Sequence, residues 1–222
     1  MVGHCAMILP LGTEAEAVAA AQRVAAHLAG GGVLGYPTET VYGLGSLATD
    51  PGLDALARLK RRPPSKPFLL LVASHEMLER TGLVLTPGAR RLAEEFWPGP
   101  LTLALAGGEG RLPDRLRGAE GGIAVRWTSH RALGRLIRAI DQPITSTSAN
   151  RPGNAPAPGA PGLVALFPEA VASGDLLVLD GGVIGNVPPS TLVDCTTRIP
   201  RLIREGAISR EELRRRVGRA AP

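Results

Sequence analysis

The sequence predicts an α/β protein built on one open, twisted, mixed sheet with flanking helices. Three observations carry that expectation. Helical patterns and short apolar strands are interleaved along almost the whole chain, the order that layers helices onto a sheet. The chain has 222 residues, 44% of them hydrophobic, enough for one full core without disulfides or metal. No internal repeat or long low-complexity linker divides it.

Each element has a local reason. Thr13 with Glu16 is a capping-box pair that opens an Ala-rich helix, stopped by Gly30-Gly31-Gly32. Val33 to Tyr36 is a short strand ended by Pro37. Asp50-Pro51 reads as an N-cap followed by a first-turn proline, and Leu53, Leu56 and Leu59 give that helix its apolar stripe and bring it to Lys60. Phe68 to Ala73 is a continuous apolar run of buried-strand length. Thr86-Pro87 starts another helix, closed by Trp97-Pro98-Gly99-Pro100, and Leu101 to Ala106 is a strand. Ile123 to Trp127 is a strand, Ser129 is the expected cap of a helix through Leu133, Leu136, Ile137 and Ile140, and Pro143 to Ser148 is extended. Residues 151–162 are rich in proline and glycine and read as a mobile surface loop. Leu176 to Leu179, Thr191 to Val193 and Leu202-Ile203 complete the strands, and Ser209 to Val217 is a short basic helix. Residues 1–12 are therefore expected to be an extension, 13–208 the domain, and 209–222 a basic helix or tail.

Composition narrows the function. The longest apolar stretch, Phe68 to Ala73, is far short of the roughly 20 residues of a membrane span. Met1 to Leu11 lacks a charged leader, and Cys5 and Cys195 lie in no metal-ligand spacing, so both thiols are expected to be idle in a reducing cytoplasm. Lys plus Arg is 25 against 20 acids, which favours an anionic partner, nucleotide or RNA. Aromatic residues are 3%, too few for a platform of stacked bases. Only two of the bases are lysines, and both fall in one stretch, Lys60-Arg61-Arg62-Pro63-Pro64-Ser65-Lys66. An ammonium there is a compact charge suited to a polyphosphate, against the alternative of a solvated basic loop.

There is no GxxxxGK[ST] loop, no GxGxxG and no HExxH, and His4, His27, His75 and His130 show no ligand spacing. Phosphates would have to be held by side chains. Candidates sit at strand ends. Pro37-Thr38-Glu39-Thr40-Val41-Tyr42-Gly43-Leu44-Gly45 places hydroxyls, a carboxylate and two glycines after a strand, where glycine permits close approach to a ligand or simply a tight turn. Thr145-Ser146-Thr147-Ser148-Ala149-Asn150 ends a strand in hydroxyls, which cost about 1–3 kcal/mol each when buried without partners. Asp180-Gly181-Gly182 and Pro189-Ser190-Thr191 are weaker signals.

In order, PTETVYGLG, Lys60-Arg61-Arg62-Pro63 with Lys66-Pro67, WPGPLTL, the strand ending in Arg126, Ser148-Ala149-Asn150, Pro189-Ser190-Thr191 and Ile203-Arg204-Glu205-Gly206 resemble the YrdC-like threonylcarbamoyl-AMP synthases, in their short single-domain form. The resemblance implies an open sheet around a positively charged cavity, with residues 13–208 as the catalytic domain. It implies condensation of L-threonine, bicarbonate or carbon dioxide, and ATP into threonylcarbamoyl-AMP and pyrophosphate, for tRNA modification by downstream transferring proteins. Carried over residue by residue, Lys60, Arg62, Ser148 and Asn150 match the set around the nucleotide and its reacting phosphate, and Lys66 and Arg204 match further ATP contacts. Thr38, Arg126, Ser146 and Ser190 match positions around threonine, with Arg126 expected to grip both carboxylate oxygens. Leu71 stands where many members have a histidine, with His75 four residues on; the usual proline after Arg126 is missing, and Arg151 precedes Pro152-Gly153.

No nucleophilic side chain is needed for that chemistry, and Mg²⁺ is expected to arrive with ATP rather than in a protein cage. Residues 151–162 are then a candidate lid over the labile adenylate. Two alternatives stand beside the synthase: a non-catalytic RNA-binding module of the same fold, and a carbamoyl-transfer domain with another acceptor. Weak RNA binding is expected from the charge, and no membrane association.

Overall fold

The computed structural model describes residues 7–63, 66–185 and 187–218. Ten strands form one mixed sheet: β1 (Ile8–Pro10), β2 (Val33–Tyr36), β3 (Gly43–Gly45), β4 (Leu69–Val72), β5 (Leu101–Leu105), β6 (Ile123–Trp127), β7 (Ile144–Ser148), β8 (Leu176–Asp180), β9 (Thr191–Asp194) and β10 (Arg201–Arg204). Their order across the sheet is β1-β8-β2-β3-β7-β4-β6-β5-β9-β10. The β1–β8, β2–β8, β4–β6 and β5–β9 pairs are parallel and the others antiparallel. The helices are α1 (Glu14–Ala29), α2 (Asp50–Lys60), α3 (His75–Arg80), α4 (Pro87–Phe96), α5 (Arg131–Ile140), α6 (Ala160–Leu166), α7 (Pro168–Ser173) and α8 (Arg210–Val217). Among the described residues no helix is long and apolar enough to cross a membrane.

The local chemistry of α1 is as expected: the Thr13 hydroxyl accepts from Glu16 N, and the Glu16 carboxylate accepts from Thr13 N. Two caps move by one residue. Thr49, not Asp50, caps α2, its hydroxyl accepting from Gly52 N. His130, not Ser129, caps α5, its Nδ1 accepting from Leu133 N. Ser129 N–H is committed elsewhere, to the Glu39 carboxylate.

Other departures have packing causes. Residues 8–10, expected in an extension, add β1 beside β8 at the sheet edge, while residues 1–6, including Cys5 and His4, lie outside the described residues, as do residues 219–222 of the expected basic tail. The expected loop 151–162 runs only to Gly159, because Ala160 begins α6 and Ala157 and Ala160 are buried. Gly43 to Gly45, read as part of a ligand-facing turn, form a strand. A Cβ on Gly45 would lie 2.0 Å from Thr145 O and 2.6 Å from the Tyr36 hydroxyl, so sheet packing demands that glycine.

Strand alternation makes the site. Leu101, Leu103 and Leu105 of β5, Ile123 and Val125 of β6 and Val193 of β9 are buried in the core on one face. The residues between them, Thr102 and Ala104, Ala124 and Arg126, Leu192 and Asp194, line a cavity on the other. Register places Thr102 beside both Arg126 and Leu192, and Ala104 beside both Ala124 and Asp194. The small residues form a floor, and the polar ones stand in a row on it.

Candidate active site

The cavity has a volume of about 510 Å³ and is lined by Thr38, Arg62, Arg126, Ser146, Ser148, Ser190 and Arg204 of the residues singled out above. β7 supplies Ser146 and Ser148, β6 supplies Arg126, β10 supplies Arg204, and Ser190 immediately precedes β9. Lys60, Lys66 and Asn150 are not among the lining residues.

Lys60 is the last residue of α2 and is buried. Its ammonium donates to Ser148 O at 2.6 Å, Asn150 O at 2.6 Å and Asn150 Oδ1 at 2.5 Å. An ammonium has three donors, so all three point into the Ser148–Asn150 loop from behind. Burial, and then the Arg62 charge, push its pKa down to about 8. Asn150 Oδ1 also accepts from the Ser148 hydroxyl at 2.6 Å, while its Nδ2 donates to Arg151 O and Asn154 O. Lysine and asparagine together set the position of Ser148 at the cavity wall.

Arg61, between Lys60 and Arg62, caps α2 in the left-handed region at φ 49°. That turn sends Lys60 behind the loop and Arg62 into the cavity. Arg62 is fixed by Lys66 O at 2.8 Å and Pro67 O at 2.8 Å, reaches the Thr147 hydroxyl at 3.3 Å, and lies 4.9 Å from the centre of the Phe68 ring. The Lys66 backbone thus serves the site, whereas its exposed side chain borders an adjoining cleft of about 30 Å³, which shares Arg62 and Pro67 with the cavity and is also lined by Arg115. Burial lowers the Arg62 pKa. Arg204 donates to Ser190 O at 2.9 Å, and burial followed by the Arg126 charge lowers its pKa. Among the described residues neither Arg62 nor Arg204 has a carboxylate within 4.0 Å, so both bring uncompensated charge to the cavity. The acids of the lining, Glu120 and Asp194, are both paired with Arg201.

Arg126 is almost fully buried and already has an internal carboxylate. Its Nη2 lies 2.7 Å from Glu39 Oε1, Nε donates to Gly99 O at 3.3 Å, and Nη1 and Nη2 each reach the Thr40 hydroxyl at 3.2 Å. A guanidinium has five N–H bonds. These contacts leave one, on Nη1, for a ligand among the described residues, which differs from the expected two-pronged grip. Glu39 is itself held by the Thr128 hydroxyl at 2.5 Å and Ser129 N at 3.1 Å. Burial pushes the Glu39 carboxyl up, but the Arg126 charge and these hydrogen bonds outweigh it and hold the pKa below the usual value.

Hydroxyls complete the lining. Thr38 Oγ1 donates to Val41 O and accepts from Thr40 N and Val41 N, closing a turn after β2. Thr102 and Ser190 share a hydrogen bond of 2.8 Å. Leu71 is the register partner of Arg126 and is buried, while His75 begins α3 with its ring edge-on to Trp127 at 5.1 Å. Cys195 is buried and free, with burial and then Asp194 pushing its pKa up to about 12. Sequence reasoning did not single out Glu39, Thr40 or Thr102 by role. The first two stand in the PTETVYGLG run, and Thr102 was readable from the apolar–polar alternation of β5.

Fold and site together define an α/β protein with a hydroxyl-lined, arginine-bearing cavity on one face of a mixed sheet. Residues 26–206 match the profile of the Sua5, YciO and YrdC proteins, described as "Telomere recombination", and the chain belongs to that family. A threonylcarbamoyl-AMP synthase of Chromohalobacter salexigens is 40% identical over 184 residues, covering 81% of this chain and 91% of the relative. A threonylcarbamoyl-AMP synthase of Pyrococcus abyssi is 35% identical over 189 residues, 85% of this chain, but the chain spans only 54% of that relative. The crystal structure of P. abyssi Sua5 complexed with L-threonine superposes with a TM-score of 0.83 at 30% identity, over 95% of this chain and 61% of that one.

Proposed function

We propose that this protein is a threonylcarbamoyl-AMP synthase, condensing L-threonine, bicarbonate or carbon dioxide, and ATP into threonylcarbamoyl-AMP with release of pyrophosphate. The observation that carries the proposal is the gathering of Thr38, Arg126, Ser146 and Ser190 with Arg62, Ser148 and Arg204 around one cavity. The synthases named above, and the related structure holding L-threonine, support the same reading.

The chemistry asks the protein for position and charge. The neutral threonine amine captures carbon dioxide, losing a proton to solvent. A carbamate oxygen then forms a bond to the α-phosphorus of ATP as the bond to pyrophosphate breaks. No covalent intermediate with the protein is needed. Arg62 and Arg204 neutralise phosphate charge, and Ser148, whose O–H is given to Asn150 Oδ1, lines the cavity from the loop that Lys60 and Asn150 hold. The free Nη1–H of Arg126 takes the threonine carboxylate, with the hydroxyls of Thr38, Ser146 and Ser190 as its neighbours. Mg²⁺ supplies charge neutralisation on the triphosphate when it arrives with ATP. Since Glu120 and Asp194 are committed to Arg201, phosphate oxygens are its natural ligands.

In this proposal the adenylate passes to tRNA-threonylcarbamoyl-transferring proteins in the cytoplasm, residues 151–159 shield it from water, and the basic surface gives weak, salt-sensitive RNA binding. Protection of residues 151–159 from protease by ATP plus threonine supports the shielding role; equal cleavage with and without them overturns it. The test of the function is pyrophosphate release from ATP with each substrate omitted in turn. Release that needs both L-threonine and bicarbonate supports the synthase; threonine-independent release contradicts it.

A further inference from the structure

We infer that Glu39 is the positioning residue for Arg126, fixing which guanidinium N–H the substrate carboxylate meets; this rests on the proposed function. Glu39 touches neither substrate class directly, since it is not among the residues lining the cavity, whereas Arg126 is. It acts through one contact, the 2.7 Å pair between Oε1 and Nη2 of Arg126. Its own position is over-determined: Oε2 accepts from the Thr128 hydroxyl and Oε1 from Ser129 N. Those two donors come from the residues directly after β6, the strand that carries Arg126. The carboxylate therefore ties the turn after β2 to the end of β6, two segments remote in sequence.

The consequence is directional. With Nη2 occupied by Glu39 and Thr40, and Nε by Gly99 O, the guanidinium cannot rotate to offer Nη2 without breaking a buried ion pair. A substrate carboxylate meets Nη1 alone, so its remaining oxygen must be satisfied by hydroxyls. Ser146 and Ser190 line the cavity with Arg126 and are the hydroxyls for that oxygen, whereas the single O–H of Thr38 is given to Val41 O. The ion pair also cancels the net charge of Arg126, leaving selection for a carboxylate to a fixed donor rather than to diffuse attraction.

The test compares Glu39→Gln and Thr128→Val with the unaltered protein. Glu39→Gln keeps the shape and loses the charge; Thr128→Val leaves the ion pair intact and removes one of its supports. Three quantities are read: L-threonine affinity by calorimetry, KM for threonine, and KM for ATP. For Glu39→Gln the expected result is a rise of about tenfold in threonine Kd and KM, with ATP KM within about twofold. Thr128→Val is expected to change the same two quantities by about threefold. A merely structural role would lower the yield of folded protein or move both KM values together. Unchanged threonine affinity in folded Glu39→Gln, or an equal rise for ATP, overturns the inference. If the unaltered protein binds L-threonine but releases no pyrophosphate, the proposed reaction fails while the affinity comparison still decides Glu39. If it binds no L-threonine, both fall.

Discussion

Lys60→Met separates two roles for a lysine that the sequence alone assigned to ATP. Methionine keeps an unbranched stem one atom shorter and removes the charge and all three donors. The lost hydrogen bonds run to Ser148 O, Asn150 O and Asn150 Oδ1. After the change, Oδ1 still accepts from the Ser148 hydroxyl, and Ser148 O still accepts from Asn150 N. Asn150 O loses its donor outright. Hydrogen bonds to a charged group are worth about 1.5–3 kcal/mol each, but removing a buried ammonium also removes a desolvation cost of several kcal/mol. The net loss is about 2–4 kcal/mol, or a fall of roughly 5–15 °C in Tm for a chain of this size. Differential scanning calorimetry reads the Tm, and hydrogen exchange reads the loop, where Ala157 N donates to Ala149 O and Asn154 N to Arg151 O. Faster exchange at residues 149–157 should accompany the lower Tm. A Tm within about 2 °C of the unaltered protein, with unchanged loop exchange and only a raised ATP KM, would refute the loop-holding argument.

The remaining predictions rest on single contacts. Arg126→Met leaves Glu39 as a buried, unpaired carboxylate and should cost about 3–5 kcal/mol; the double change Arg126→Met with Glu39→Gln should recover most of that in thermal unfolding while threonine binding stays lost. Arg61→Gly should raise the Tm by a few degrees, because φ 49° costs a residue with a side chain about 1 kcal/mol that glycine escapes. For pH, the folded-state pKa of Glu39 lies below its unfolded value of 4.5. Its contribution to stability is therefore complete above that pH and is lost as the pH falls through the folded value. The Tm of the unaltered protein should thus drop more steeply in acid than that of Glu39→Gln, and parallel curves would refute the assignment.

What the sequence disclosed, it disclosed through local chemistry. The Thr13–Glu16 capping box and the Thr86-Pro87 start were legible because their partners lie three residues away. The caps of α2 and α5 were missed by one residue because tertiary demand competes with propensity. Ser129 is the better cap by type, yet its N–H serves Glu39, a partner ninety positions distant. The strand at Gly43 to Gly45 was hidden for a similar reason. Its glycines reflect Tyr36 and Thr145, contacts that exist only once the sheet is assembled. Four of the site residues, Arg126, Ser146, Ser148 and Arg204, reach the cavity from strands brought together by that sheet. The direction of Lys60 and the prior engagement of Arg126 depend on side-chain geometry, which no spacing in the sequence encodes.

The most direct test of the whole account is pyrophosphate release by the purified protein supplied with ATP and Mg²⁺, with L-threonine and bicarbonate added separately and together. The account predicts release only when both are present, with a mass corresponding to threonylcarbamoyl-AMP among the products. Release without threonine, or ATP binding with no release under any combination, would contradict it.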